Sequence, residues 1–120
     1  MNKPHKKLDV WTGAVDLAQL VYKITDRFPV KEQFALTIQI RRATVSIPSN
    51  IAEGAARQTR KEFIQFLHVS KGSLSELDTQ LEIAKRLEYL EQTEWEALNE
   101  LLERVDKMLS GLIRHLKAKS

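Results

Sequence analysis

The side chains with the most chemistry to offer lie between Gln39 and Phe63, "QIRRATVSIPSNIAEGAARQTRKEF". Gln39, Arg42, Ser46, Asn50, Glu53 and Arg57 follow one another there at steps of 3, 4, 4, 3 and 4 residues. That spacing puts all six on one face of a helix. Amides, a hydroxyl, a carboxylate and two guanidinium groups in a row can serve two ends. They can form a hydrogen-bonded network with a facing helix or across an interface between copies. Alternatively, the arginines can face a partner's phosphates, with Ser46 and Asn50 as positioning donors. For the network, a later segment offers Ser70, Gly72, Ser73 and Glu76, small enough for close approach, and Arg41 or Arg42 can pair with Glu76. Nucleic-acid footprints are usually more basic than this stripe of mixed sign.

Little else in the chain suggests catalysis. His5, His68 and His115 are far apart and none belongs to a Glu-x-x-His pair, so no metal site is expected. "SKGS" at residues 70–73 lacks the Gly-x-x-x-x-Gly-Lys pattern and strand–loop–helix setting of a phosphate loop. No Ser, His and Asp arrangement suggests a nucleophile, and the chain has no cysteine. No catalytic residue and no cofactor are therefore expected, and the chain reads as a protein that is not an enzyme. The absence of cysteine fits a reducing cytoplasm.

The elements that must position the stripe are long helices. Of 120 residues only four are Gly and three are Pro, while 42% are apolar and 29% charged, an ordinary globular composition. Trp11, Val15, Ala18, Val21 and Ile24 recur at helical steps, predicting a first helix over 10–28 that ends at Pro29. A second segment is expected from near Val30, with two apolar lines: Phe34, Ile38 and Val45, and Leu36, Ile40, Ala43, Ile47 and Ile51. Such broad apolarity predicts a central, buried helix. Pro48 lies inside it, and the missing N–H leaves the Thr44 carbonyl without its usual donor, so a bend is expected, with Ser46 or Ser49 compensating locally.

Thr59 and Glu62 read as a capping box. After it, Phe63, Leu67, Ser70, Leu74, Leu77, Leu81 and Ala84 form a heptad seam. Thr93 and Glu96 read as a second box, followed by Trp95, Leu98, Leu102, Val105, Leu109, Leu112 and Leu116. Trp11 and Trp95 lie on these apolar lines, which predicts packing rather than base stacking. Four helical segments with short connections predict an all-α, up-and-down antiparallel four-helix bundle over 9–118, preceded by a basic tail over 1–8. The formal charge of +3 equals that of residues 1–7 alone, which suits weak attraction to nucleic acid or merely a solvated start. No apolar run approaches the ~18 residues of a membrane span.

The stretch "QIRRATVSIPSNIAEGAARQTRKEFIQFL" with "KGSLSELDTQLEIAKRLEYL" closely resembles the bacterial 23S rRNA intervening-sequence protein family, also called the four helix bundle protein family. The matching positions include Gln39, Arg42, Ala43, Ser46 and Ile47, then Pro48, Asn50, Ile51, Ala52, Glu53 and Gly54, and later Gly72, Ser73 and Glu76. The resemblance runs over about residues 8 to 117, with Ala35 a mild departure. It implies a bundle that assembles as a homopentamer and contacts RNA, a role inferred for the family from its place inside 23S rRNA genes and its basic surfaces. It adds no catalytic residue. Arg41, Arg42, Arg57, Arg60 and Lys61 are the candidate nucleic-acid contacts. The competing expectation is a protein-interaction scaffold, such as an accessory subunit to an RNA-processing enzyme or reverse transcriptase.

Overall fold

The computed structural model describes residues 1–119. Four helices, α1 (Asp9–Thr25), α2 (Leu36–Ala55), α3 (Arg60–Arg86) and α4 (Gln92–Ala118), form a body of 46 × 24 × 21 Å. Single 3-10 turns stand at Pro4–Lys7 and Val30–Glu32, and the described residues contain no strand. Each helix packs on the two beside it, with α2 and α3 in the most extensive contact. This is the expected up-and-down four-helix bundle.

The core follows the seams. On α3, Leu67, Ser70, Leu74, Leu77, Leu81 and Ala84 are buried, and Phe63 is half-buried at the end. Full burial of each leucine stabilises by about 1.5–3 kcal/mol relative to exposure. On α4, Leu98, Leu102, Val105 and Leu109 are buried, but the last buried position is Ile113 while Leu112 and Leu116 are half-buried. A strict seven-residue repeat drifts by about 20° per heptad on a straight helix, so the core-facing position slips by one residue near the helix end.

The start of α2 differs from the sequence expectation. It begins at Leu36, after the 3-10 turn and an irregular Ala35. Only the line Leu36, Ile40, Ala43, Ile47 and Ile51 enters the core. Phe34 is 87% exposed, Val45 is 43% exposed and Ile38 is half-buried. A helix beside two neighbours turns one stripe inward, and the second apolar line falls outside it.

Helix α2 runs unbroken through Pro48. Carbonyls beside the proline take side-chain donors: Ile47 O accepts from Ser70 Oγ at 2.9 Å and Ser46 O from Asn50 Nδ2 at 2.8 Å. Neither bond reaches the Thr44 carbonyl, the group that loses its helical donor to Pro48. Gly54 is buried where α2 meets α3, and a Cβ there would stand 2.7 Å from Phe66 Cβ and 2.9 Å from Phe63 Cδ1. The two helices approach this closely because that side chain is absent.

Thr59 caps α3 as expected, its Oγ1 accepting from the Glu62 N–H at 3.1 Å; the hydroxyl itself donates to Glu62 Oε1 at 2.9 Å. The expected box at Thr93 and Glu96 is displaced. Helix α4 starts earlier, with Glu91 as N-cap and its N–H donating to Glu94 Oε1 at 2.9 Å. Carboxylates suit this position because they accept from the first-turn N–H groups and face the positive end of the dipole. Between α3 and α4, Glu88 adopts φ 65°. Tyr89 N donates to Ala84 O and Glu88 N to Lys85 O, each at 2.9 Å, the Schellman arrangement that usually places glycine at this position.

Candidate interaction surfaces

The polar stripe of α2 divides into a floor and a rim. At the floor Ser46 Oγ and Ser73 Oγ are 2.8 Å apart across the α2–α3 contact, and Asn50 Nδ2 donates to Ser46 Oγ at 3.0 Å. Ser46, Asn50 and Ser73 are half-buried, so they satisfy one another where water has restricted access. At the rim Arg57 donates to Glu53 Oε1 at 2.7 Å and lies 4.8 Å over the Phe66 ring. Gln39 and Arg42 are exposed.

The proposed pairing of Arg41 or Arg42 with Glu76 is not seen. Arg41 turns to α1, where Nε donates to Thr25 Oγ1 at 3.0 Å and Nη2 to Tyr22 O at 3.3 Å, with Asp26 at 3.9 Å and the Tyr22 ring at 4.5 Å. Successive residues point about 100° apart on a helix, so Arg41 and Arg42 face different neighbours. Arg42 and Glu76 are both exposed, and among the described residues neither makes an ion pair. A groove of about 300 Å³ runs along the outer α1–α2 surface, lined by Tyr22, Ile38, Arg41, Arg42, Val45 and Ser46.

The fold also separates the five candidate basic residues. Arg41 and Arg42 lie in the half of α2 nearer the Pro29 turn. Arg57, Arg60 and Lys61 lie at the opposite end, where α2 gives way to α3. In this topology the start of α1 and the end of α4 come to the same end. Leu8, Asp9 and Val10 line a groove with Met108, Gly111 and Leu112, Arg60 Nη1 donates to Lys119 O, and the 3-10 turn at Pro4–Lys7 contacts both α1 and α2. His5 packs edge-on against Trp11 with ring centres 5.0 Å apart, which holds the tail to the bundle.

Three sequence-distant segments therefore meet. Residues 1–9, 53–62 and 111–119 bring together nine Lys and Arg side chains against Asp9, Glu53 and Glu62. The rest of the chain has ten Lys and Arg against thirteen Asp and Glu. A formal charge of +3 thus conceals a bundle basic at one end and acidic over the remainder. The tail and Arg57, Arg60 and Lys61 were expected from the sequence, whereas Arg114, Lys117 and Lys119 at the end of α4 were not among the candidates. Their convergence could have been read from the antiparallel order of four helices. No group of three or more His, Asp and Glu among the described residues could hold a metal ion, and no helix is long and apolar enough to cross a membrane.

A small up-and-down helical bundle with a polar α2–α3 seam and one basic end defines the structural class. Residues 6–111 match the family described as 23S rRNA-intervening sequence protein, and the chain belongs to that family. The chain is also similar to a solved structure from Bacteroides thetaiotaomicron VPI-5482, described as a protein with unknown function from the S23 ribosomal protein family. That similarity has a TM-score of 0.79 and 26% sequence identity, over 88% of this chain and 95% of the other. No curated protein matches the chain.

Proposed function

We propose that this chain is a non-catalytic cytoplasmic protein that assembles with copies of itself, as a homopentamer, and binds RNA, the 23S rRNA intervening sequence being the first candidate. The observation that carries this reading is the gathering of nine Lys and Arg side chains at one end of the bundle. Polyanion binding releases condensed counterions, so it depends on how many cations reach phosphates together rather than on net charge alone. A ring of five copies multiplies the basic ends fivefold and aligns them on one rim. Arg57, Arg60 and Lys61, with the tail lysines and the end of α4, make the contact surface.

The test is an electrophoretic shift with folded 23S rRNA intervening-sequence fragments over a salt series. The reading expects binding that weakens steeply as salt rises. No shift at micromolar protein and low salt would sink it. A second reading, a scaffold for an RNA-processing enzyme or reverse transcriptase, is favoured by Phe34 and Val30, which stand 87% and 83% exposed on the turn before α2. It expects a protein that copurifies with the chain and is lost when Phe34 is changed to Ser.

A further inference from the structure

Helix α3 carries two seams. The inner one is the core seam. On the outside Val69, Gly72, Glu76, Thr79 and Ile83 follow at steps of 3, 4, 3 and 4 residues, and all five are exposed. Val69 is 51% and Ile83 45% exposed. A Cβ at Gly72 would meet nothing within 4 Å. Glycine inside a helix destabilises it relative to alanine, and nothing within this chain needs the space.

Helix α2 carries a similar second seam. Ile38, Arg42, Val45, Ser49 and Ala52 follow at steps of 4, 3, 4 and 3 residues, and none of them enters the core. Each outer seam is about 21 Å long at 1.5 Å per residue. Each holds two apolar β-branched residues, Ile38 and Val45 on α2 and Val69 and Ile83 on α3, and one charge, positive on α2 and negative on α3.

We infer that the outer α2 seam of one copy packs against the outer α3 seam of the next, Arg42 of one beside Glu76 of the other, closing a ring. This rests on the self-assembly proposed above and names its surfaces. The two seams differ, so the contact is heterologous, the kind that generates rings when the rotation closes. The height of the charges agrees. The bond between Ser46 and Ser73 sets the register of antiparallel α2 and α3, and Arg42 and Glu76 each stand one turn from it on the same side. Rotation about an axis along the bundle preserves height, so Arg42 of one copy meets Glu76 of its neighbour at one level. Gly72 then admits the α2 side chains of the neighbour, as a small residue admits a knob in helix packing.

The test uses sedimentation velocity on the full chain, on Val45→Glu, on Gly72→Glu and on their equimolar mixture, with circular dichroism to confirm folding. The wild type is expected to assemble, each variant to sediment as a folded monomer, and the mixture to stop at a dimer, because it holds one intact pair of seams. A wild type that stays monomeric sinks the self-assembly reading itself. Oligomers that persist in both variants overturn the seam pairing and leave assembly standing. Monomeric variants whose mixture forms no dimer overturn the α2-to-α3 pairing. A second pair keeps the question open to refutation if a blocked variant unfolds: Arg42→Glu and Glu76→Arg are expected each to weaken assembly at least tenfold, roughly, and to restore it together. Rescue seen in the unfolding midpoint of the monomer, and not in assembly, would place the pair within one chain and overturn the contact between copies.

Discussion

The two ends of the bundle treat charge in opposite ways. At the end formed by the α1–α2 and α3–α4 connections, charged groups close on one another. Arg27 pairs with Glu94 and lies 3.9 Å from Glu91, Arg86 pairs with Glu82 at 3.0 Å, and Glu32 accepts the Tyr89 hydroxyl at 2.8 Å while facing the first N–H of α2. At the end formed by the tail, the α2–α3 turn and the end of α4, cations outnumber carboxylates threefold. Arg57 alone of its neighbours has a carboxylate partner there, Glu53 on its own helix, among the described residues. Exposed pairs stabilise a fold weakly, by about 0–1 kcal/mol. The paired end therefore gains mostly geometry from its charges, and the basic end leaves most of its cations without a carboxylate partner among the described residues, as the proposed RNA contact requires. On the proposed reading, the same residue types serve the fold at one end and a polyanion at the other.

The largest expected effect comes from reversing that difference. Changing Arg57, Arg60 and Lys61 together to Glu removes three cations from one patch and adds three anions. RNA affinity should fall by at least about 100-fold, and the slope of log K against log salt should lose roughly 2–3 units, from about 0.7–0.9 per phosphate contact. Changing Arg27, Lys31 and Arg86 to Glu at the paired end should leave the slope within one unit. Equal losses from the two triples would mean that net charge, rather than its placement, governs binding.

The basic end also depends on close packing, which two glycines separate. Gly54→Ala forces a methyl group against Phe66 and Phe63, and overpacking of this kind costs about 1–3 kcal/mol. Gly111→Ala, in the same end on α4, places its Cβ 3.9 Å from the nearest atom, an Arg114 nitrogen. It should stabilise by about 0.5–1 kcal/mol through helix propensity. Urea unfolding of both variants gives opposite signs if Gly54 is held by the α2–α3 approach and Gly111 by nothing local.

At the paired end, Glu88 holds a left-handed conformation, φ 65°, that glycine adopts without strain. Glu88→Gly should raise stability by about 0.5–1 kcal/mol in thermal or urea unfolding while leaving the α3–α4 connection in place. A loss of stability would show that the Glu88 side chain contributes more than its backbone costs.

The helices themselves were legible in the sequence because their periodicity is long and uninterrupted. Leu67 to Ala84 on α3 and Leu98 to Leu109 on α4 are buried as their spacing required. What was not legible depended on choices between near-equal alternatives. Two apolar lines on α2 competed for the core, and only packing against α1 and α3 decided that Ile40 and Ile47 go in and Ile38 and Val45 stay out. Two acidic or hydroxyl residues competed to cap α4, and Glu91 precedes Thr93 by enough to win. Arg41 and Arg42 are adjacent in sequence, yet a turn of 100° sends one to Tyr22 and leaves the other on the surface. The floor of the polar stripe was legible, since Ser46, Asn50 and Ser73 lie at helical spacing on facing helices. The basic end was not, because it is assembled from segments more than forty residues apart whose charges are offset elsewhere in the total.

The smallest expected effect is also at the paired end, and pH exposes it. The Tyr89 hydroxyl donates to Glu32, and this bond first, then burial and the charge of the Glu32 carboxylate, raise its pKa above the ordinary 10.0. A proton held more tightly in the folded chain than in the unfolded one stabilises the fold fully below pH 10 and progressively less as pH climbs through the folded-state pKa. Tyr89→Phe removes both the hydrogen bond and the titration. The stability advantage of the wild type over that variant should therefore be present at about pH 8 and shrink toward about pH 11. Urea midpoints at the two pH values measure it. An advantage that does not change across that range would mean that Tyr89 contributes only its ring, packed on Phe28 with centres 5.5 Å apart, and that the paired end is held by packing and its remaining ion pairs.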